Sequence, residues 1–488
     1  MSITTQNGPQ VLIFKNVSAY AQDTWKLNNR LTFTYGFRSD INPAPHEAKG
    51  NDPSTLLQIT DPSTFAFAPR GTPLWKTTYN NVAPRIGVAY QLSQAKGREL
   101  VLRGGVGIFY DLGNGQASNA FALSFPFTAA RNLFNEPFPL PPGDAAAPIV
   151  SPKPGVSDSL YVFDPELKLP RVYQWNFTLE QSLGTSQSLT ASYVAAVGRR
   201  LLKGERMQNP GQFLGVFNIV KNNATSDYHA MQLQFHRRLA RGFQAQASYT
   251  WSHSIDIASG DGAIAADIIA NPRQDRGPSD FDVRHAFNGA ITYNFPAPHI
   301  GTIGSKIVSG WSVDGIFNAR TATPVNVTYT RTTTFGSASL RPDLVPGVPL
   351  YLDDPSVPRG RRFNNTRVTI PGNPLPQIGP FLRPTVARQG TLGRNALRGF
   401  PVWQLDLALR RQFHLTERVN LQFRAEFFNV FNHPNFGDPV ASLTNSSFGV
   451  STAMLGRSLG TGGLTGGFNP LYQVGGPRSI QCSLKLSF

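Results

Sequence analysis

The sequence is short of charge: Asp, Glu, Lys and Arg make up 15% of its 488 residues, against roughly 25% in soluble globular domains. A chain of this length could fill two or three soluble domains, but it lacks the ionic surface such domains carry. Methionine is rare, at 4 residues, and the helix-favouring Lys and Glu are sparse. A single cysteine, Cys482, excludes an internal disulfide and a cysteine-based zinc site. No apolar run approaches the ~18 residues of a transmembrane helix; the segment 11–14 (VLIF) is typical of the longest. The first ten residues, MSITTQNGPQ, have neither the basic nor the apolar region of a secretory signal. The expectation is that the true start lies upstream or that the chain is a fragment.

What is abundant is glycine (45), proline (39) and phenylalanine (34). Mean hydropathy is −0.22, which does not exclude a barrel in lipid, because lipid-facing and lumen-facing residues alternate and cancel. The net charge of +16 is dispersed along the chain without a nucleic-acid motif. It reads as a solvated basic surface, with no nucleic-acid partner expected.

Period-two alternation is the main signal. At the C-terminus Ile480, Cys482, Leu484, Leu486 and Phe488 point one way and Ser479, Gln481, Ser483, Lys485 and Ser487 the other. A lysine in the second set requires water, so the apolar set faces lipid. Val419, Leu421, Phe423, Ala425 and Phe427 alternate in the same way with Asn420, Gln422, Arg424 and Glu426. So do Phe243, Ala245, Ala247, Tyr249 and Trp251 with Gln244, Gln246, Ser248 and Thr250. Runs of about ten residues match a tilted membrane strand, and Trp25, Trp175, Trp251, Trp311 and Trp403 fall near run ends, as aromatic girdles do.

Thirteen strands are predicted, near 17–25, 30–38, 82–91, 98–110, 172–183, 187–195, 228–239, 242–253, 283–295, 309–320, 402–413, 418–430 and 478–488. Links after odd-numbered strands are short: 26–29, 92–97, 184–186, 240–241, 296–308 and 414–417. Links after even-numbered strands are long and read as irregular: 39–81, 111–171, 196–227, 254–282, 321–401 and 431–477. Short turns at one end and long loops at the other are the topology of an antiparallel transmembrane outer-membrane β-barrel. First and last strands run the same way, whereas bacterial single-chain barrels have an even strand count. At least one strand is therefore expected before Val17, and the loop lengths suit a plugged barrel of 22 strands.

Several segments, in this order and spacing, carry a family resemblance. They are 20–25 (YAQDTW) with 30–38 (RLTFTYGFR), 83–90 (APRIGVAY), 102–111 (LRGGVGIFYD), and 192–194 with 198–200 (SYV, GRR). Further on come 249–253 (YTWSH), 279–285 (SDFDVRH), 393–395 with 398–399 (GRN, RG) and 426–433 (EFFNVFNH). Over nearly its whole length the chain resembles the C-terminal barrel portion of Oar-like TonB-dependent receptors. The resemblance implies a β-barrel domain over 1–488, with plug and N-terminal domain absent. It implies outer-membrane location, ligand binding by extracellular loops, and import driven by TonB through the missing plug. It also implies barrel-assembly machinery that reads Phe488; lipopolysaccharide is expected as a membrane partner.

No catalytic, cofactor or metal residues are assigned, and no enzyme activity is expected. Gly104, Gly105 and Gly107 lie within a strand rather than before a helix, which suits close packing better than phosphate binding. His253, Asp256 and His285 come near the outer ends of neighbouring strands without tight ligand spacing. The 321–401 loop carries ten arginines against three aspartates. Within it, Arg359, Arg361 and Arg362 are candidates for contact with an anionic ligand or lipopolysaccharide phosphate, loop packing being the plainer role. Asp406, Arg410, Arg424 and Glu426 are expected to pair within the lumen or meet a plug. The alternative overall reading is a smaller self-closing outer-membrane pore or adhesin, which an extra strand in 1–16 would permit.

Overall fold

The computed structural model describes residues 2–6, 10–123, 125–132, 138–140, 142, 157–208, 211–260, 272–296, 309–333, 336–369, 371, 377–458 and 475–488. Thirteen strands form one antiparallel meander: β1 (Val17–Lys26), β2 (Leu31–Ile41), β3 (Asn81–Ser93), β4 (Leu100–Tyr110), β5 (Arg171–Leu183), β6 (Gln187–Gln208), β7 (Leu214–Ala240), β8 (Phe243–Asp256), β9 (His285–Asn294), β10 (Trp311–Arg320), β11 (Val402–His414), β12 (Asn420–Phe428) and β13 (Ser479–Ser487). Each hydrogen-bonds to its sequence neighbours, so all thirteen predicted strands are present, eleven at nearly the predicted bounds and β6 and β7 well beyond theirs. The 296–308 link lies outside the described residues except for Pro296.

The sheet is open. Among the described residues β1 pairs with β2 and β13 with β12, and neither edge strand has a second neighbour. Every residue of β1 is exposed.

The register bears out the two faces. Arg424 stands opposite Ser483, and Phe423 opposite Leu484. Charges on the polar face find partners there. Arg410 Nη2 donates to Asp314 Oδ1 at 2.8 Å, Arg424 Nε donates to Glu426 Oε1 at 3.0 Å, and Asp406 Oδ1 accepts from Gln404 Nε2 at 2.8 Å and the Asn429 amide at 2.7 Å. The apolar face stays uncovered, with Val106, Phe177, Trp251, Ile291 and Leu484 all exposed, as side chains in contact with acyl chains must be. Trp25 and Trp311 lie at strand ends beside short links; Trp175, Trp251 and Trp403 lie at ends beside long ones. That gives one aromatic belt at each rim.

The long loops correct the expectation of irregular chain. The 196–227 segment largely continues the β6–β7 hairpin, making strands of 22 and 27 residues. A membrane crossing needs only about 9–11 residues, so this ribbon stands well clear of the bilayer. Register shifts at Leu201 let it bend, and Arg200 takes a φ of 56° there. Its tip is joined by a parallel strand, Ser157–Phe163. The hydrophobic cores also lie in the loop layer. One gathers Val327, Tyr329, Phe363, Phe381, Leu397 and Phe448 from the 321–401 and 431–477 loops. A second joins Trp75, Phe121 and Phe163, and a third joins Leu56, Phe65 and Phe217. The physical reason is solvent. In the bilayer, apolar side chains gain nothing from leaving lipid, while the loops sit in water and must bury theirs.

Candidate functional site

The loop layer over the long-loop rim is held by buried ion pairs. Lys203, on the β6 ribbon and 2% exposed, donates from Nζ to Asp275 Oδ2 at 2.8 Å; Arg341 Nη1 donates to Asp275 Oδ1 at 2.7 Å. Burial pushes the Asp275 carboxyl up, but these two cations outweigh it and hold the group below the usual carboxylate range. Arg394, also buried, bonds the Asp256 carboxylate at the end of β8, and its Nη2 donates to Asp280 Oδ1 at 2.9 Å. Asn395 Nδ2 donates to the same Asp280 oxygen at 2.6 Å.

Asp282 is a further anchor, with a wholly buried side chain. It accepts from Arg398 Nη2 at 2.5 Å, the Ser254 amide at 2.8 Å and His253 Nδ1 at 3.0 Å. Burial again raises this carboxyl, and the Arg398, Ser254 and His253 contacts bring it below its ordinary value. The loop before β9 is thus tied to the loop before β11 in three places, at Asp275, Asp280 and Asp282, and to the ribbon through Lys203.

Between these anchors lies a cavity of about 410 Å³, lined among others by Lys203, Asp275, Asp280, Arg341, Gln389 and Arg394. Its wall is about equally polar and apolar and carries both signs of charge in fixed positions.

The residues singled out from sequence fall as follows. Arg359 Nη2 donates to the Pro401 carbonyl at 2.9 Å, and Arg361 Nη2 to that of Gly399 at 2.9 Å. Arg361 also lies 4.6 Å from the Tyr351 ring centroid, and Arg362 Nε is 3.3 Å from Asp354 Oδ2. All three therefore have partners within the loop layer, and Arg359 remains exposed. His253, Asp256 and His285 are not brought together: His253 serves Asp282, Asp256 serves Arg394, and His285 Nδ1 is 2.7 Å from the Tyr249 hydroxyl. Phe488 is exposed at the end of β13. Lys203, Asp275 and Arg341 were missed by sequence reasoning. Nothing in the spacing of three residues from three separate loops marks them as a set.

Residues 1–461 match the family model described as the outer membrane beta barrel domain. No curated protein matches the chain. Among solved structures it is similar to the copper transporter OprC, at 11% identity over 98% of this chain and 49% of that one, with a TM-score of 0.43. It is also similar to the outer membrane transporter YddB from Escherichia coli, at 9% identity over 97% and 54%, with a TM-score of 0.44. A third is the ferric yersiniabactin uptake receptor FyuA from Yersinia pestis, at 12% over 90% and 44%, with a TM-score of 0.41. The chain spans about half the length of these structures.

Proposed function

The chain belongs to the outer membrane beta barrel domain family, and from that premise we propose that it is the barrel of a receptor or transporter whose outer loops capture a ligand. The observation that carries this reading is the loop layer itself. Three hydrophobic cores and a set of buried ion pairs give it a fixed shape above the strands. A passive pore needs no such layer, whereas a receptor needs recognition groups held in place before the ligand arrives.

In the whole protein the ligand would pass inward through a plug energised by TonB. The barrel would be completed by additional strands. Both edges run in the same direction, so an antiparallel seam at each requires an insert with an odd number of strands. A second copy in the same membrane orientation contributes thirteen strands, but its own edges again run the same way as these, and each seam would be parallel.

The test is to fold the 488-residue chain into planar bilayers and record conductance, alone and after co-expression with any strands encoded upstream. The receptor reading expects no discrete channel from the chain alone. A monodisperse monomer with stable unitary conductance supports the self-closing pore instead.

A further inference from the structure

We propose that the lipid-facing side of β5–β9 binds a phosphate-bearing amphiphile of the outer leaflet, its acyl chains over Met231 and Trp251 and its phosphate among Arg199, Arg276 and Arg284. The assignment concerns the membrane-facing wall and is independent of what the loops capture.

Register fixes the layers of this wall. Phe177, Tyr193, Met231 and Trp251 are successive cross-strand partners and share the apolar face. The next row outward on that face holds Trp175, Ala195, His229 and His253, and the row beyond holds Tyr173, Val197, Asp227 and Ile255. Two hydroxyl–imidazole contacts, Tyr193 with His229 and Tyr249 with His285, repeat at 2.7 Å. They give the girdle polar tips above apolar bodies, the mark of a membrane interface.

Above that girdle three guanidinium groups, Arg199, Arg276 and Arg284, stand against two carboxylates, Asp227 and Asp282. Asp227 accepts from Arg199 Nη2 at 2.7 Å and from Arg276 Nη2 at 2.8 Å, so one carboxylate serves two guanidinium groups. Both arginine side chains are 39% exposed. Arg284 donates from Nη2 to His253 Nε2 at 3.0 Å and reaches Asp282 only at 3.6 Å, a carboxylate already bonded to Arg398. Arg199 Nη1 also donates to the Gly198 and Ser226 carbonyls, at 2.8 and 3.0 Å, and Arg276 Nη1 to Thr225 Oγ1 at 3.4 Å. Of the five N–H donors in each planar fork, those left over after all these contacts suit the oxygens of a phosphate.

Below Arg284 a groove of about 230 Å³ opens on the apolar face, lined by Tyr193, His229, Met231, Trp251, His253 and Arg284 among others. From Met231 to Asp227 is four residues, about 13 Å along an extended strand. With barrel tilt that is roughly 10 Å of depth, close to the step from acyl region to headgroup phosphate. A free anion would use only the upper half of this site, and a neutral lipid only the lower half. Apolar groove and cationic rim together fit one amphiphilic occupant.

The experiment uses the full chain folded in zwitterionic detergent micelles. Dimyristoyl phosphatidic acid is titrated against dimyristoylglycerol and inorganic phosphate, with tryptophan fluorescence and native mass spectrometry as readouts. Phosphatidic acid is expected to bind at least about tenfold more tightly than the diacylglycerol, the worth of one charge-assisted contact or more. The preference is expected to vanish in the Arg199→Gln/Arg276→Gln/Arg284→Gln variant, and to weaken on the wild-type protein as salt screens the rim. Arg276→Gln alone, which lies outside the thirteen strands, is expected to remove part of it and guards against misfolding of the triple variant. Equal binding of the two lipids, competition by inorganic phosphate at the same concentration, or no effect of salt and of Arg276→Gln each overturns the assignment.

Discussion

Arg398 Nη2 lies 2.5 Å from Asp282 Oδ2 and so joins residues 116 positions apart in the chain. Because the Asp282 side chain is fully buried, the pair fixes the base of the 321–401 loop to the strand end beneath it. Breaking a buried pair by removing one partner costs roughly 3–5 kcal/mol. The Ser254 and His253 contacts survive in Arg398→Met, so the lower end, about 3 kcal/mol, is expected. Trypsin should cleave the 321–401 loop several-fold faster in this variant while the β signal of the sheet is unchanged. An unaltered cleavage rate would show that the clamp does not hold the loop.

Asp275, Asp282 and Asp343 share one electrostatic sign. In each, burial raises the carboxyl and cationic or N–H donors more than offset it: Lys203 and Arg341, then Arg398 with Ser254 and His253, then Arg388 with the Thr391 amide. Their folded values lie below the unfolded value of about 3.9. The stability they contribute is therefore complete above that value and is lost as pH falls through the folded ones. Near-ultraviolet circular dichroism of the loop aromatics should stay flat from neutral pH down to about 5 and decay below about 4. Decay that is already complete at mildly acidic pH would assign the loss to other groups.

Gly277 sits where a side chain has no room. A Cβ there would overlap the Arg394 carbonyl oxygen, whereas one at Gly260 would meet nothing within 4 Å. Gly277→Ala should displace Arg394 from Asp256 and cost about 1–3 kcal/mol, the usual range for overpacking. Amide exchange at 394–396 should rise in Gly277→Ala and not in Gly260→Ala. Equal exchange in both would mean that the anchor tolerates the shift.

Arg359 and Arg361 each spend a donor on a loop carbonyl and Arg362 is ion-paired with Asp354, yet each keeps donors for an anionic ligand. The triple change to Gln should lower binding to phosphatidylglycerol vesicles several-fold, measured in a background already changed to Gln at 199, 276 and 284. Binding equal to that background leaves these residues a packing role alone.

Phe488 tests the assembly signal. It is 97% exposed and follows directly on edge strand β13, which among the described residues pairs with β12 alone, so Phe488→Ala should cost little folded-state stability. A several-fold drop in heat-modifiable, membrane-inserted protein is expected. An unchanged inserted fraction would remove Phe488 from that role.

Strand number, strand direction, the lipid-facing side and the two classes of link were legible in the sequence. Alternation such as Val419–Phe427 against Asn420–Glu426 is a local property of an extended backbone, and bilayer and lumen enforce it residue by residue. The loops were not legible, because their folding depends on contacts with no fixed spacing. The 196–227 segment reads as irregular chain, yet it continues a ribbon with Ser157–Phe163 paired alongside it. Tyr329 and Phe448 share a core, and Lys203, Asp275 and Arg341 share a charge centre, only because separate loops meet in water above the membrane. The sequence by itself determined the wall, since each strand answers to the solvent on its two sides. Only the tertiary structure decided the loop layer, since burying apolar and ionic groups there requires partners drawn from distant parts of the chain.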